Sequence, residues 1–167
     1  MIRNIKRWAM LVFMIVCSST ACAQEQEGWV VDTGLLDFAD YPAEPYNGKT
    51  HETRICSEKD WTFRTRLRQA AGQPPNFAGH FHLTMWGCGT GCLMGAAVDV
   101  TTGEVFWVPG TLSCAWCAEV DTDPLAFEPD SHLLILRGTL HRDGISGEHY
   151  YAFENGSFVH LRTVVFD

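Results

Sequence analysis

The sequence predicts an α+β fold that is mainly β, an antiparallel meander of six to seven strands with one N-terminal helix. Three observations lead to this prediction. The 15 glycines and 7 prolines divide the chain into short pieces, as is typical of strands and turns. Asn155-Gly156 stands between two apolar runs and is a strong hairpin signal. One stretch alone, beginning at Ser57, has clear helical spacing.

The helix is predicted from its start and stop signals. Ser57-Glu58-Lys59-Asp60 has the form of a capping box, in which the serine accepts a hydrogen bond from a first-turn amide. Apolar residues then follow helical spacing, and Gly72 and Pro74 end the segment. The apolar positions are Phe63, Leu67, Ala70 and Ala71.

The strands are predicted from alternation and from turn residues. Residues 77–86 alternate, so one face should carry Phe77, Phe81, Leu83 and Met85, and the other Ala78, His80, His82, Thr84 and Trp86. Thr101-Thr102-Gly103 separates two further strands, residues 96–100 and 104–108, as a hairpin. The remaining strands are residues 133–136 and the two that flank Asn155-Gly156, residues 149–154 and 157–162, with residues 164–166 extending the last.

Residues 1–23 are expected to be a signal peptide, which leaves residues 24–167 as a single β-rich exported domain. Three basic residues precede the apolar run 8–16, which is shorter than the roughly 20 apolar residues that span a bilayer. Ala21-Cys22-Ala23 supplies a small-x-small cleavage pattern. The expected location is periplasmic or secreted, with no transmembrane segment in the mature chain. The alternative is a lipid anchor on Cys22.

The chain is acidic, with 12 Lys+Arg against 20 Asp+Glu and a net charge of -8. Without residues 1–23 the balance becomes 9 against 20, a net charge of -11. Seven acidic residues and no Lys or Arg lie between Gln69 and Leu136. Nucleic acid is therefore not an expected partner. The acidic surface aids solubility, or it steers the chain towards a basic envelope protein or a divalent cation.

Three motifs resemble a group of small exported bacterial proteins of undefined activity. They are Asn76-Phe77-Ala78-Gly79-His80-Phe81, the run Trp86-Gly87-Cys88-Gly89-Thr90-Gly91-Cys92, and Val98-Asp99 followed by Thr102-Gly103. The similarity covers roughly residues 57–138. It implies export and a β-rich fold, and it assigns no catalytic residue.

Five cysteines remain after residue 23, namely Cys56, Cys88, Cys92, Cys114 and Cys117. In an exported domain, close pairs such as Cys88 with Cys92 and Cys114 with Cys117 are disulfide candidates, within or between the pairs. Four thiolates holding zinc are one alternative. A redox pair at Cys114 and Cys117 and a nucleophile at Cys92 or Cys88 that uses His80 are two others. A disulfide between Cys88 and Cys92 is expected to end the strand in a tight turn.

His80, His82, Trp86 and Thr90 are the candidate contact surface, because the predicted strand and turn would bring them together. His80 and His82 are also a candidate metal pair that needs a third ligand. Glu119, Asp121 and Asp123 alternate, which indicates the charged edge of a strand or a calcium site.

These features favour a non-enzymatic, disulfide-containing binding module of the cell envelope, an inhibitor or immunity-type protein for a basic partner. The sequence has no G-x-S-x-G element, H-E-x-x-H helix or phosphate loop, so no cofactor is expected. The alternative is a small envelope metal-binding protein or enzyme centred on His80, His82 and the Cys88–Cys92 loop.

Overall fold

Residues 36–114 and 123–166 are described by the structure, a computed structural model, and their eight strands form one antiparallel sheet. The strands are β1 Phe81–Gly89, β2 Cys92–Asp99, β3 Val105–Trp107, β4 Leu112–Ser113, β5 Leu125–Phe127, β6 Leu133–Leu140, β7 Ser146–Glu154 and β8 Ser157–Val165. They follow the order β1-β2-β4-β6-β7-β8, while β3 pairs with β2 and β5 pairs with β6. The predicted class, α+β and mainly β, is confirmed. The two strands beyond the predicted six are short pieces whose sequence carries no alternation.

The predicted helix forms as two short helices, α1 Glu58–Thr62 and α2 Arg64–Ala71. The capping box is present, because the Ser57 hydroxyl accepts from the Asp60 amide at 3.0 Å and the Asp60 carboxylate accepts from the Ser57 amide at 2.8 Å. Phe63 separates the two helices with φ -104° and ψ 15°. A short 3₁₀ helix, Phe38–Asp40, precedes them.

The predicted strand over residues 77–86 begins later than expected, at Phe81. Ala78 and Gly79 adopt positive φ values of 45° and 77°, which turn the chain back on itself. Phe77 and Phe81 therefore face each other and exchange two main-chain hydrogen bonds of 3.0 Å. A side chain at residue 79 would collide with the backbone carbonyl of Glu44, so glycine is required there. His80 consequently lies in a turn and does not share a strand face with His82.

The two predicted hairpins are confirmed. β2 pairs with β3 through Val98 and Val105, on either side of the predicted turn. β7 pairs with β8 across Asn155 and Gly156, which have φ values of 49° and 73°. Both central residues have positive φ, as the tightest hairpin turns require.

The sheet curls so that its two halves share one core. Buried side chains from β1 and β2 form a single cluster with those from β6 and β7, among them Phe81, Leu83, Leu134, Leu136, Tyr151 and Phe153. α2 covers the opposite face of β1 and β2, where it packs with Trp86, Met94, Ala96 and Val98. Residues 36–41 cover the opposite face of β6 and β7. The described residues, 36–114 and 123–166, lie within one compact unit.

Candidate functional site

The tip of the β1–β2 hairpin is a tight turn closed by a disulfide between Cys88 and Cys92, whose Cα atoms are 5.2 Å apart. Gly89 pairs directly with Cys92, so only Thr90 and Gly91 lie between the paired residues. Gly89 and Gly91 have φ values of 150° and 66°, which side chains resist. The predicted disulfide and the predicted turn at the end of the strand are both confirmed.

A shallow cleft of about 290 Å³ lies beside this tip. Backbone forms much of its wall, because the lining residues include the three glycines of the tip together with Cys92, Leu93, Cys114 and Pro124. Cys114 is also disulfide-bonded. Cys117, the other disulfide candidate of that pair, lies outside the described residues, as do Glu119 and Asp121.

The outer edge of β1 is partly closed by the chain that leads into it. The Asn76 side chain donates to the Leu83 carbonyl at 3.1 Å and accepts from the Leu83 amide at 2.7 Å, in the manner of a neighbouring strand. The His82 ring contacts the Pro74 carbonyl through Nδ1 at 2.8 Å. Beyond Leu83, no described residue pairs with this edge.

The tip itself carries no charged side chain, and one exposed carboxylate follows in sequence beside its cleft. Residues 85–95 contain no charged side chain, and the exposed Asp123 adjoins Pro124 at the cleft. The nearby Arg137 donates to Glu148 at 2.7 Å, so its charge is already neutralised. Burial favours the neutral acid, but hydrogen bonds from Arg137 and Tyr150 outweigh it and lower the pKa of Glu148.

The structure does not bring the four predicted contact residues together. Thr90 is exposed at the tip, whereas His80 lies at the opposite end of β1, about 30 Å away along an extended chain. Trp86 is 7% exposed and packs against Phe63 and Trp107 beneath the helices. Of the four residues of the expected contact surface, only Thr90 therefore lies at the exposed tip.

His80 instead lies near Asp99 of the Val98-Asp99 motif and near His132, which none of the predicted sites includes. It interacts electrostatically with Asp99 and with His132. Burial, and then the electrostatic effect of the neighbouring His80, lower the pKa of His132. Asp99 accepts hydrogen bonds from Thr101 and Thr102, so the aspartate of the Val98-Asp99 motif holds the following turn.

The metal and thiol alternatives find no assembled site in the described part of the chain. No three His, Cys, Asp or Glu side chains are grouped there in a way that could hold a metal ion. A zinc site with four thiolates needs free thiols, and so does a nucleophile at Cys88 or Cys92. The sulfurs of Cys88, Cys92 and Cys114 are in disulfides. Cys56 is a free, exposed cysteine.

No family model, curated protein or solved structure matches this chain. None of the helices in the described ranges is long and apolar enough to cross a membrane.

Proposed function

We propose that this chain is an exported, non-enzymatic binding module of the cell envelope, an inhibitor or immunity-type protein for a basic hydrolase. Its contact element is the hairpin tip around Thr90. The observation that carries this proposal is the disulfide between Cys88 and Cys92 at an exposed turn.

The position of this disulfide supports a role in binding. The two cysteines are separated by four positions in one hairpin, so the bond closes a very small loop and removes little entropy from the unfolded chain. The hairpin register and the glycine turn already bring the two strands together. The main effect of the bond is to hold the shape of the tip, and a pre-organised loop loses less conformational freedom when a partner binds.

The charge of the chain supports a basic partner. Residues 24–167 carry 20 Asp+Glu against 9 Lys+Arg, and the exposed Asp123 adjoins Pro124 of the cleft beside the tip. A negative field of this kind accelerates encounters with cationic proteins and slows those with anionic ones. Uncharged glycines at the tip itself let a partner approach the backbone closely.

The test is a binding and inhibition assay against purified secreted hydrolases, one group with pI above about 9 and one with pI below about 6. Thr90→Arg adds bulk and positive charge at the tip, and Ser157→Arg is the matched control on the exposed start of β8. We expect binding to one or more basic hydrolases, weakened at least tenfold by T90R and unchanged by S157R. Failure to bind any basic hydrolase, or equal binding of acidic ones, contradicts the proposal.

A further inference from the structure

We propose that the partner is bound by strand addition, with an extended cationic segment pairing along the outer edge of β1 at Met85 and Gly87. This inference rests on the proposed function and names how the tip region takes hold of its partner. Strand addition supplies affinity through main-chain hydrogen bonds and specificity through pockets for alternate side chains.

The main-chain groups of Met85 and Gly87 point away from β2. Phe81 exchanges its amide and carbonyl bonds with Phe77, on the outer side of the strand. Leu83, two residues later, bonds to Asn76 on the same side. Because these directions alternate along a strand, the next outward residues are Met85 and Gly87.

These outward groups have no partner among the described residues, and Met85 is partly exposed and Gly87 exposed. The approach to β1 through Pro74 and Asn76 occupies the edge only as far as Leu83, and no described residue pairs with Met85 or Gly87 beyond it. Among the described residues, and apart from the chain neighbours, the only atom within 4 Å of a Cβ placed at residue 87 is the Cys92 carbonyl oxygen, at 3.8 Å, and none lies within 4 Å of a Cβ placed at residue 89. Natural edge strands are usually protected by charge or proline, and residues 85–89 contain neither.

The cleft beside this edge selects the occupant. Gly87 and Gly89 line both the edge and the cleft, so a side chain of an added strand can enter the cleft directly. Asp123, next to Pro124 of the cleft wall, favours a Lys or Arg side chain there. A second copy of this chain is the weaker occupant, because each copy has a net charge of -8 and carries the same Asp123 beside the cleft.

The test uses ¹⁵N-labelled protein and a synthetic seven-residue peptide of alternating Lys and Val, with three comparison peptides. One comparison peptide has Glu in place of Lys, and the other two are N-methylated at alternate residues, one in each register. We expect the Lys peptide to slow hydrogen exchange at the Met85 and Gly87 amides at least tenfold, because each outward amide gains a carbonyl partner. One of the two N-methylated peptides should bind about three- to tenfold more weakly, as expected for lost hydrogen bonds.

Met85→Pro removes one outward donor without removing a bond to β2, and it should weaken the Lys peptide about three- to tenfold. If M85P does not fold, Asn76→Ala serves as a second variant. It removes the side chain that bonds to Leu83 on the outer edge of β1 and leaves Met85 and Gly87 unchanged. In that variant the Met85 and Gly87 amides should still be protected by the Lys peptide.

Three results would overturn the inference. They are protection confined to other amides, equal binding of the Lys and Glu peptides, and self-association of the free chain through this edge. If a basic hydrolase binds through Thr90 while the Met85 and Gly87 amides stay unprotected, strand addition fails and the proposed function stands. If no basic hydrolase binds at all, the proposed function itself fails.

Discussion

Two tryptophans at the helix–sheet interface differ in one hydrogen bond. Trp107 donates from Nε1 to the Asp60 carboxylate at 3.0 Å, whereas the buried Nε1 of Trp86 has no partner among the described residues. The Trp107 bond, with others from Cys56 and Ser57, outweighs the opposing effect of burial and lowers the pKa of Asp60. Removing the donor of a paired, buried acceptor leaves that acceptor unsatisfied and is costly, whereas removing a buried donor that has no partner relieves an existing cost.

We therefore predict that Trp107→Phe destabilises the fold more than Trp86→Phe. The loss of the bond to a charged acceptor should cost about 1–3 kcal/mol, since Asp60 is buried. Trp86→Phe removes an unpaired donor, which offsets part of the packing it loses. Urea unfolding of both variants measures the difference. An equal or larger loss for Trp86→Phe would show that the Asp60 bond contributes nothing.

A second prediction at the residue scale concerns His149, which is 1% exposed. Its Nε2 lies 3.1 Å from the Gly138 carbonyl and its Nδ1 lies 3.1 Å from the Thr163 hydroxyl. The carbonyl only accepts, so Nε2 donates, and in the neutral ring Nδ1 accepts from Thr163. Burial lowers the pKa of His149 below its usual value of 6.5, despite the Gly138 bond.

The free energy of unfolding should therefore fall as the pH is lowered from 7 to 5. With the folded pKa below the unfolded value, the unfolded chain binds more protons in this range, and protonation favours unfolding. His132 contributes with the same sign, because burial also lowers its pKa. His149→Gln should reduce the slope of stability against pH, as measured by urea unfolding at several pH values. An unchanged slope would contradict this account of His149.

At the scale of elements, the structural role of the tip disulfide can be separated from its role in binding. Replacing Cys88 and Cys92 together by Ser should lower the free energy of unfolding by at most about 2 kcal/mol, because so small a loop is closed. The affinity for a basic hydrolase should fall by more than the decrease in the folded fraction of the protein can explain. Calorimetric unfolding and a binding titration on the same variant give both values. Normal binding by this double variant, measured under conditions in which it is folded, would contradict the role of the disulfide in shaping the tip.

The sequence predicted those elements whose signals are local. The capping box at Ser57 and the hairpin at Asn155-Gly156 depend on residues within one turn of each other, and both are present. The turn before β1 was missed because the left-handed Ala78 has no residue-type signal. Phe77 and Phe81 lie in the same core on either side of that turn, so their spacing imitates one continuous strand.

The candidate site was predicted only in part, for the same physical reason. The Cys88–Cys92 bond follows from two nearby cysteines among glycines, and it is confirmed. The burial of Trp86 depends on α2 packing over β1, a long-range contact that alternation alone does not reveal. The proximity of His80 and His132 likewise arises because the sheet curls and brings the starts of β1 and β6 together.

At the scale of the whole molecule, the tip and the His80 region lie at opposite ends of β1, so they can be probed independently. Ser157 is at the His80 end of the sheet. It pairs with Glu154, which lies two residues after Ala152, and Ala152 pairs with Leu133 at the start of β6. Thr90 and Ser157 are both exposed, so a photoreactive side chain at either position should leave the core intact.

The most direct test of the central claim is site-specific photo-cross-linking in the cells that make this protein, with a benzophenone side chain at residue 90 or 157. We expect an adduct from residue 90 with a basic envelope protein, identified by mass spectrometry, and no such adduct from residue 157. The adduct should weaken as ionic strength rises, since the attraction is electrostatic. An adduct only from residue 157, or one from residue 90 with an acidic protein, would contradict the claim that the disulfide-closed tip of this acidic chain binds a basic partner.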